Sequence, residues 1–521
     1  MTAIVFADLF NRAYLGAQDR VALIDDTGEL TYAQLQSITT RFANALISDG
    51  FGPATAFALL SPNTSLALAA MIGGLRAGGA WGNINLRNSL ASNIDILSRG
   101  VCEVLFFHSS CADMLPEIKA GVKTLRSAIC IDKDLADYPS LLSYSQGASE
   151  APVNVRLDPS QVGMHGSTGG TTGLPKVTET GEAFVSMGCV GLMLTLRLAE
   201  PPVNLAMAPI THGGGIIALA TLAMGGTVVM MAKPDLDQLL ASIAKHKISV
   251  LFLPPTVIYA LLKLPQTARA DFSSLRYLIS GAAPIAVEKL AQAHQVFGPV
   301  VCQLYGQTEC GMPLTFMSPE EITAALTDAS LRHRLGSIGR QTPNVAAMEI
   351  MDEAGNLLPA GEIGEIVLQG PMVMQRYLGD PQATADIQKF GWHHTGDLGY
   401  RDRDGYVYIS DRKRDLIISG GFNVFPFEVE QTLLTHPSVQ DCAVFGVPDE
   451  KWGEAVRATV ELAQGAQADA AELIQLCKER LGSVKAPKQI DFVAQLPRSP
   501  VGKILKGQLR EGYWRGVGRK V

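Results

Sequence analysis

From about residue 20 to residue 300, short apolar runs rich in β-branched side chains alternate with longer stretches whose apolar positions recur every three or four residues. The runs include "CEVLFF" (102–107), "NLAMAP" (204–209), "TVVMMA" (227–232), "SVLFLPP" (249–255) and "RYLISG" (276–281). Helical spacing marks "DLDQLLASIAKHK" (235–247) and "AVEKLAQAHQVF" (286–297). Strands apolar on both faces need helices above and below them, so the alternation predicts an α/β fold built on parallel sheets. Between about 340 and 410 the texture changes to "AAMEIMD" (346–352), "GEIGEIVLQG" (361–370) and "GYVYIS" (405–410), which predict a smaller β-rich subdomain with Gly and Asp turns. The charged run "DRKRD" (411–415) reads as a linker to a final unit with strand and helix patterns of its own, which divides the chain into 1–411 and 412–521. One uncharged stretch, Gly213 to Met231, is long enough to cross a bilayer, but Gly225-Gly226 splits it and predicts a buried helix, a turn and a strand.

Composition narrows the function classes. A chain of 521 residues with 47% hydrophobic and 18% charged residues is globular and long enough for several units. A net charge of −7, with a locally basic character only near the C-terminal tail, argues against a nucleic-acid surface. Eight cysteines without a C-x-x-C pair point to neither a zinc site nor a disulfide framework and fit a reducing cytoplasm. The start "MTAIVFADLF" lacks the basic region of a secretory signal. There is no coiled-coil seam, which leaves monomer and oligomer both open.

Candidate chemistry lies at several short segments. "STGGTTGLPK", Ser167 to Lys176, combines three glycines, four hydroxyls and a lysine, which suits backbone N–H groups curling around phosphate oxygens, although such composition also serves flexible linkers. It is not a Walker A element, because Pro175 precedes Lys176 and Val177 follows it. "YGQTE", Tyr305 to Glu309, follows an apolar run and so sits just past a strand end, where open α/β sheets place their ligands. Glu309 beside a phosphate loop is a candidate Mg²⁺ ligand; alone it reads as a solvated turn residue. "SGAAP" (280–284) ends a strand with residues small enough for a flat base to approach, or is a plain strand-to-helix turn. "HTGD" (394–397) places Asp397 after a tight turn, where a carboxylate could accept both hydroxyls of a ribose. Arg412 in the charged run is a permanent donor, His212 sits among glycines in "PITHGGG" (209–215), and Lys503 lies in the polar turn of "LPRSPVGKILK" (496–506).

Taken in order, "STGGTTGLPK", "PITHGGG", "SGAAP", "YGQTE", "HTGD", "DRKRD", "GGFNVFPFEVE" (420–430) and "PRSPVGKIL" (497–505) resemble the adenylate-forming superfamily, specifically its acyl-CoA synthetases. "ELTYAQL" (29–35) and "GVPDEKWGEAV" (446–456) extend the likeness over nearly the whole chain. The resemblance implies a large N-terminal domain of two helix-covered sheets plus the β-rich subdomain, and a smaller mobile α+β C-terminal domain. It implies two reactions: a carboxylate attacks the α-phosphate of ATP and releases pyrophosphate, and the thiol of coenzyme A then displaces AMP.

By the same resemblance Thr168, Gly169, Gly170, Thr171, Thr172, Gly173 and Lys176 hold the β- and γ-phosphates, and Glu309 holds Mg²⁺. Asp397 takes the ribose and Arg412 reinforces it, while Gly281, Ala282, Ala283, Tyr305, Gly306 and Thr308 border the rest of the nucleotide. His212 guards an acyl pocket shared with Gly213, Gly214, Gly215, Leu304, Cys310 and Met312. Lys503 neutralises the meeting of carboxylate and α-phosphate, Arg414 falls at the hinge, and Gly420, Gly421, Phe422 and Asn423 form the coenzyme A tunnel once the small domain has swung. Three positions depart from the family pattern: Val177 and Leu304 stand where glycine is common, and Arg414 where aspartate or lysine is usual. The apolar pocket predicts a fatty, aromatic or alicyclic acid. The alternatives are an adenylating enzyme with a non-CoA acceptor such as a carrier protein, and a non-catalytic nucleotide or acyl-AMP sensor.

Overall fold

The computed structural model describes residues 4–155, 157–158, 161–168, 175–499 and 502–515. Two large sheets organise the N-terminal part. The first has nine strands, with a parallel centre of Val301–Gln307, Tyr277–Ser280, Val250–Leu253, Val203–Ala206, Thr227–Met230 and Val21–Asp25, in that spatial order. The hairpin partners Gly311–Met317 and Gly28–Thr31 add antiparallel pairs outside that centre. The second sheet has seven strands and places Ala56–Leu60 beside Ala80–Gly82 and Val104–Phe107, continuing through Val162–Ser167 to Val177–Gly181. Strands such as Ala56–Leu60 and Tyr277–Ser280 are buried along their whole length, as the continuous apolar runs require when helices cover both faces.

The Gly213 stretch folds as the helix Gly213–Ala223, a turn with Gly225 at φ 71°, and the strand Thr227–Met230. Among the described residues no helix is long and apolar enough to cross a membrane. All eight cysteines are free and buried.

A third, antiparallel sheet joins Ala347–Met351, Gly364–Gln369, Trp392–Arg401 and Val407–Arg412. The last unit has its own five-stranded sheet, centred on Val439–Asp449 and Gly453–Leu462, with the helices Pro426–Leu434 and Ala470–Leu481 packed on it. The fold is thus α/β, with two helix-covered sheets, a β-rich subdomain and a smaller α+β C-terminal unit.

Three local readings change. The run 411–415 is only partly a connector, because Asp411 and Arg412 complete the strand Val407–Arg412 and Asp411 is 5% exposed. Their charges read as surface, but both find partners inside. "HTGD" is no tight turn: it lies within the ten-residue strand Trp392–Arg401, with Gly396 at φ 73° and register shifts in its pairing with the neighbouring strands. Tyr305 likewise lies inside its strand, which runs on to Gln307 before the turn at Thr308 and Glu309.

Candidate active site

Asp397 is the most enclosed of the predicted site carboxylates, 1% exposed. The strand pairing sets Asp397 opposite Arg412, and the Arg412 Nε donates to its Oδ1 at 2.6 Å. Its Oδ2 accepts from the Tyr305 hydroxyl at 2.5 Å and from Gln307 Nε2 at 2.6 Å, so two side chains of the nine-stranded sheet close on one from the third sheet. Gln307 also donates to the Thr395 carbonyl at 3.1 Å. Burial, reinforced by the Asp397 charge, pushes the Tyr305 hydroxyl well above its ordinary pKa, so it stays a donor.

Behind this carboxylate, Glu365 holds the bulge. It accepts from the Gly396 N–H at 3.0 Å and pairs with His394 Nδ1 at 3.1 Å and Lys413 Nζ at 3.3 Å. Burial opposes its ionisation, but His394 and Lys413 outweigh that and hold its pKa below the ordinary carboxylate value.

The candidate phosphate loop is pinched at its ends: the Thr168 N–H donates to the Lys176 carbonyl at 2.9 Å and the Lys176 N–H to Thr168 Oγ1 at 3.3 Å. Gly169, Gly170, Thr171, Thr172 and Gly173 lie outside the described residues. Lys176 Nζ sits 4.8 Å from the centre of the Tyr377 ring, and the Tyr377 hydroxyl donates to Glu309 Oε1 at 2.9 Å. Tyr377 therefore couples the loop lysine to the candidate metal carboxylate. Thr308 packs on the strand leading into the loop, so closely that a Cβ on Gly166 would lie 2.5 Å from its Cγ2. Nothing in the spacing of "RYLGD" (376–380) marks Tyr377, and nothing within "YGQTE" singles out Gln307.

Gly281 admits close approach: a Cβ there would lie 2.8 Å from Phe252 Cε2 and 3.1 Å from the Leu304 carbonyl. The next residue, Ala282, is exposed and at φ 68°, a left-handed conformation that costs a non-glycine residue about 1 kcal/mol. Ala283 is half-buried beside it, and Gly306 lies opposite Met312 in the hairpin.

His212 precedes the helix Gly213–Ala223 and meets Thr211 Oγ1 at 3.1 Å through Nδ1. Burial lowers its pKa to about 4, so the ring is neutral near pH 7. The three glycines after it turn tightly; a Cβ on Gly213 would lie 3.0 Å from Met312 Sδ, on Gly214 2.8 Å from the Ala208 carbonyl, and on Gly215 1.9 Å from the Ile210 carbonyl. Leu304 and Cys310 are buried, the thiol turned toward Gln307 Oε1 at 3.8 Å.

Lys503 arrives from the C-terminal unit. Its loop is closed by the Lys503 N–H donating to Ser499 Oγ at 3.1 Å and by the Ser499 N–H donating to the Lys503 carbonyl at 2.7 Å. Gly502, at φ 86°, rests on the helix Pro255–Lys263, with its Cβ position 3.3 Å from Thr256 Oγ1. Lys503 itself is solvent-exposed. Enclosure by protein and the nearby Arg412 lower its pKa, against the opposing charges of Glu309 and Asp397, with Arg414 acting as a second repelling cation. Tyr305 and Arg412 thus close directly on Asp397, and the charges of Glu309, Asp397, Arg412 and Arg414 all act on Lys503.

Gly420, Gly421, Phe422 and Asn423 lie elsewhere, at the tip of the hairpin Ile417–Ser419 and Phe422–Val424, with Phe422 62% exposed. Among the described residues, no hydrogen bond or ion pair joins them to the cleft.

Comparisons with known proteins agree with this arrangement. A family model described as "AMP-binding enzyme" matches residues 10–378, and one described as "AMP-binding enzyme C-terminal domain" matches residues 428–503. A feruloyl-CoA synthase of an Amycolatopsis species is 33% identical over 487 residues, covering 93% of this chain and 94% of its own. A medium/long-chain-fatty-acid–CoA ligase of Mycobacterium tuberculosis is 34% identical over 516 residues, covering 96% of this chain and 88% of its own. Among solved structures, the amide bond synthetase McbA from Marinactinospora thermotolerans superposes with a TM-score of 0.88 at 29% identity, covering 98% of this chain and 100% of that one. With its motifs in order and its fold matched from end to end, the chain belongs to the AMP-binding enzyme family, the adenylate-forming superfamily, and to its acyl-CoA synthetase type.

Proposed function

We propose that the protein joins a compact, mainly apolar carboxylic acid to coenzyme A through an acyl-adenylate, with the cleft around Asp397 as the nucleotide site. The observation that carries this reading is the bonded set of Asp397, Tyr305, Gln307 and Arg412, with Lys503, from the far end of the chain, within range of the charges of Glu309, Asp397 and Arg412. Two anions must meet in the first step. An ammonium beside both offsets their repulsion and the charge that grows as the carboxylate oxygen bonds to the α-phosphorus and pyrophosphate leaves.

Asp397 accepts the ribose hydroxyls, exchanging its bonds from Tyr305 and Gln307 for bonds to the sugar, while Arg412 keeps the carboxylate oriented. The loop from Thr168 to Lys176 binds the outgoing phosphates. The donor chemistry near the loop suits Mg²⁺, which prefers oxygen ligands and shares them with phosphates. Glu309 would hold the ion, with Tyr377 fixing one carboxylate oxygen; bound there, Mg²⁺ would neutralise phosphate charge.

In the second step the coenzyme A thiol attacks the acyl carbon and AMP leaves. The exposed hairpin at Gly420–Asn423 is the surface for the pantetheine arm, reached when the C-terminal unit turns about Arg414. We read 1–411 and 412–521 as the two bodies of that motion.

The acid is apolar and compact. Leu304, Cys310 and Met312 supply no charge, His212 is neutral, and Leu304 is 6% exposed and fills space that glycine would leave open. The feruloyl and fatty-acid specificities of the two relatives fall in the same apolar class. A panel of aromatic, alicyclic and fatty acids assayed for CoA-dependent AMP formation tests the proposal; acid-dependent pyrophosphate release without CoA-dependent product would move the acceptor to an amine or a carrier protein, as the resemblance to an amide bond synthetase allows.

A further inference from the structure

The helix Pro426–Leu434, the first of the C-terminal unit, has no side-chain cap of its own, since Phe425 at the N-cap offers none. Its missing acceptor comes from across the connector. Asp411, at the end of the strand Val407–Arg412 in the third sheet, accepts from the Phe427 N–H at 2.8 Å through Oδ2, and from the Arg412 N–H at 2.7 Å through Oδ1. A carboxylate at this position satisfies an orphan donor and complements the positive end of the helix.

A second tie runs beside it. Lys506, three residues beyond Lys503, pairs with Glu430 of the same helix at 2.7 Å, and the charges of Asp411 and Asp415 act on the same ammonium. Arg510 pairs with Asp415 at 3.2 Å. The segment that carries Lys503 is therefore anchored, within one turn of helix, to a cluster of acids from the strand, the connector and the helix.

We propose that Asp411 is a positioning residue that holds the C-terminal unit in the adenylating orientation, by capping the helix Pro426–Leu434 across the connector and drawing in Lys506. The inference rests on the proposed function, in which that unit turns between the two half-reactions. Asp411 touches no reacting group; its effect passes through the placement of Lys503.

The test measures the half-reactions separately, with an acid that supports turnover: acid-dependent pyrophosphate release for the first, and acyl transfer from supplied acyl-AMP to CoA for the second. Asp411→Ala should slow the first about tenfold, the size of a charged helix cap, and leave the second within about twofold. Asp411→Asn, which keeps an acceptor for Phe427 but loses the charge, should fall between. Adding Lys506→Gln to Asp411→Ala should cost less than it does in the wild type, because the two act as one unit. Equal loss in both half-reactions, with or without a lowered melting temperature, makes Asp411 merely structural and overturns the inference; so does an adenylation rate within about twofold of wild type. A wild-type protein without acid-dependent pyrophosphate release would instead sink the functional reading, and this inference with it.

Discussion

Replacing Lys503 with alanine separates the two chemistries most sharply. Two unit negative charges about 4 Å apart repel by about 4 kcal/mol at an effective dielectric near 20, and a cation set between them offsets most of that. Arg412 stays in the cleft and continues to screen the phosphate, so the loss should be partial. Removing one preorganised charge partner typically costs about 2.7–4 kcal/mol, which is on the order of 10² to 10³ in rate. The bonds that shape the Lys503 loop are made by backbone atoms and Ser499, so alanine preserves them and the melting temperature should hold. Acid-dependent pyrophosphate release should therefore fall by 10² to 10³, while acyl transfer from supplied acyl-AMP to CoA stays within a few-fold. Loss of both activities in equal measure, or of neither, would refute the assignment.

Other perturbations follow from the same geometry. Asp397→Asn turns an amide NH₂ toward donors on either side, Arg412 or the Tyr305–Gln307 pair, and should raise KM for ATP at least tenfold, as charged hydrogen bonds are worth about 1.5–3 kcal/mol each; an ATP titration of pyrophosphate release with unchanged KM would contradict the ribose role. Gly215→Ala would place a Cβ 1.9 Å from the Ile210 carbonyl, a backbone clash that flexible side chains cannot relieve, so the variant should melt markedly lower or fail to accumulate. In the proposed first step Lys503 carries its proton, and its pKa lies below the ordinary 10.5 through desolvation by the surrounding protein and the nearby Arg412 charge. As pH rises through that lowered value the proton leaves, so the alkaline limb of pyrophosphate release should begin below the ordinary lysine pKa, and Lys503→Arg should move it upward. A limb shared by the CoA-transfer step would point to another group.

Much of this protein was legible along the chain because its signals are local. Apolar runs such as "RYLISG" and "TVVMMA" are strands since both faces are covered, and that needs no knowledge of which helix covers them. Glycine punctuation split Gly213–Met231 correctly, because Gly225 takes a left-handed φ that other residues avoid. The order of eight motifs led to the adenylate-forming superfamily, although most of those motifs also fit plain turns when read singly.

The charged run 411–415 and the "HTGD" segment show the limit of such reading. Charge along a sequence looks like solvated surface, and only the pairing of Val407–Arg412 with Trp392–Arg401 reveals that Asp411 is buried and that Arg412 faces Asp397. Tyr377, Glu365 and the capping of a helix by Asp411 were invisible for the same reason: their partners lie 68, 31 and 16 residues away, respectively. Side-chain periodicity is set by neighbours within a few residues, whereas hydrogen-bond partners and burial are set by which strands come to lie together. The sequence by itself therefore determined the layers, the family and the residue types available for chemistry. That Lys503 feels the charges of Glu309 and Asp397, the latter more than a hundred residues away, was decided by how the C-terminal unit packs on the rest, with Gly502 resting on Thr256.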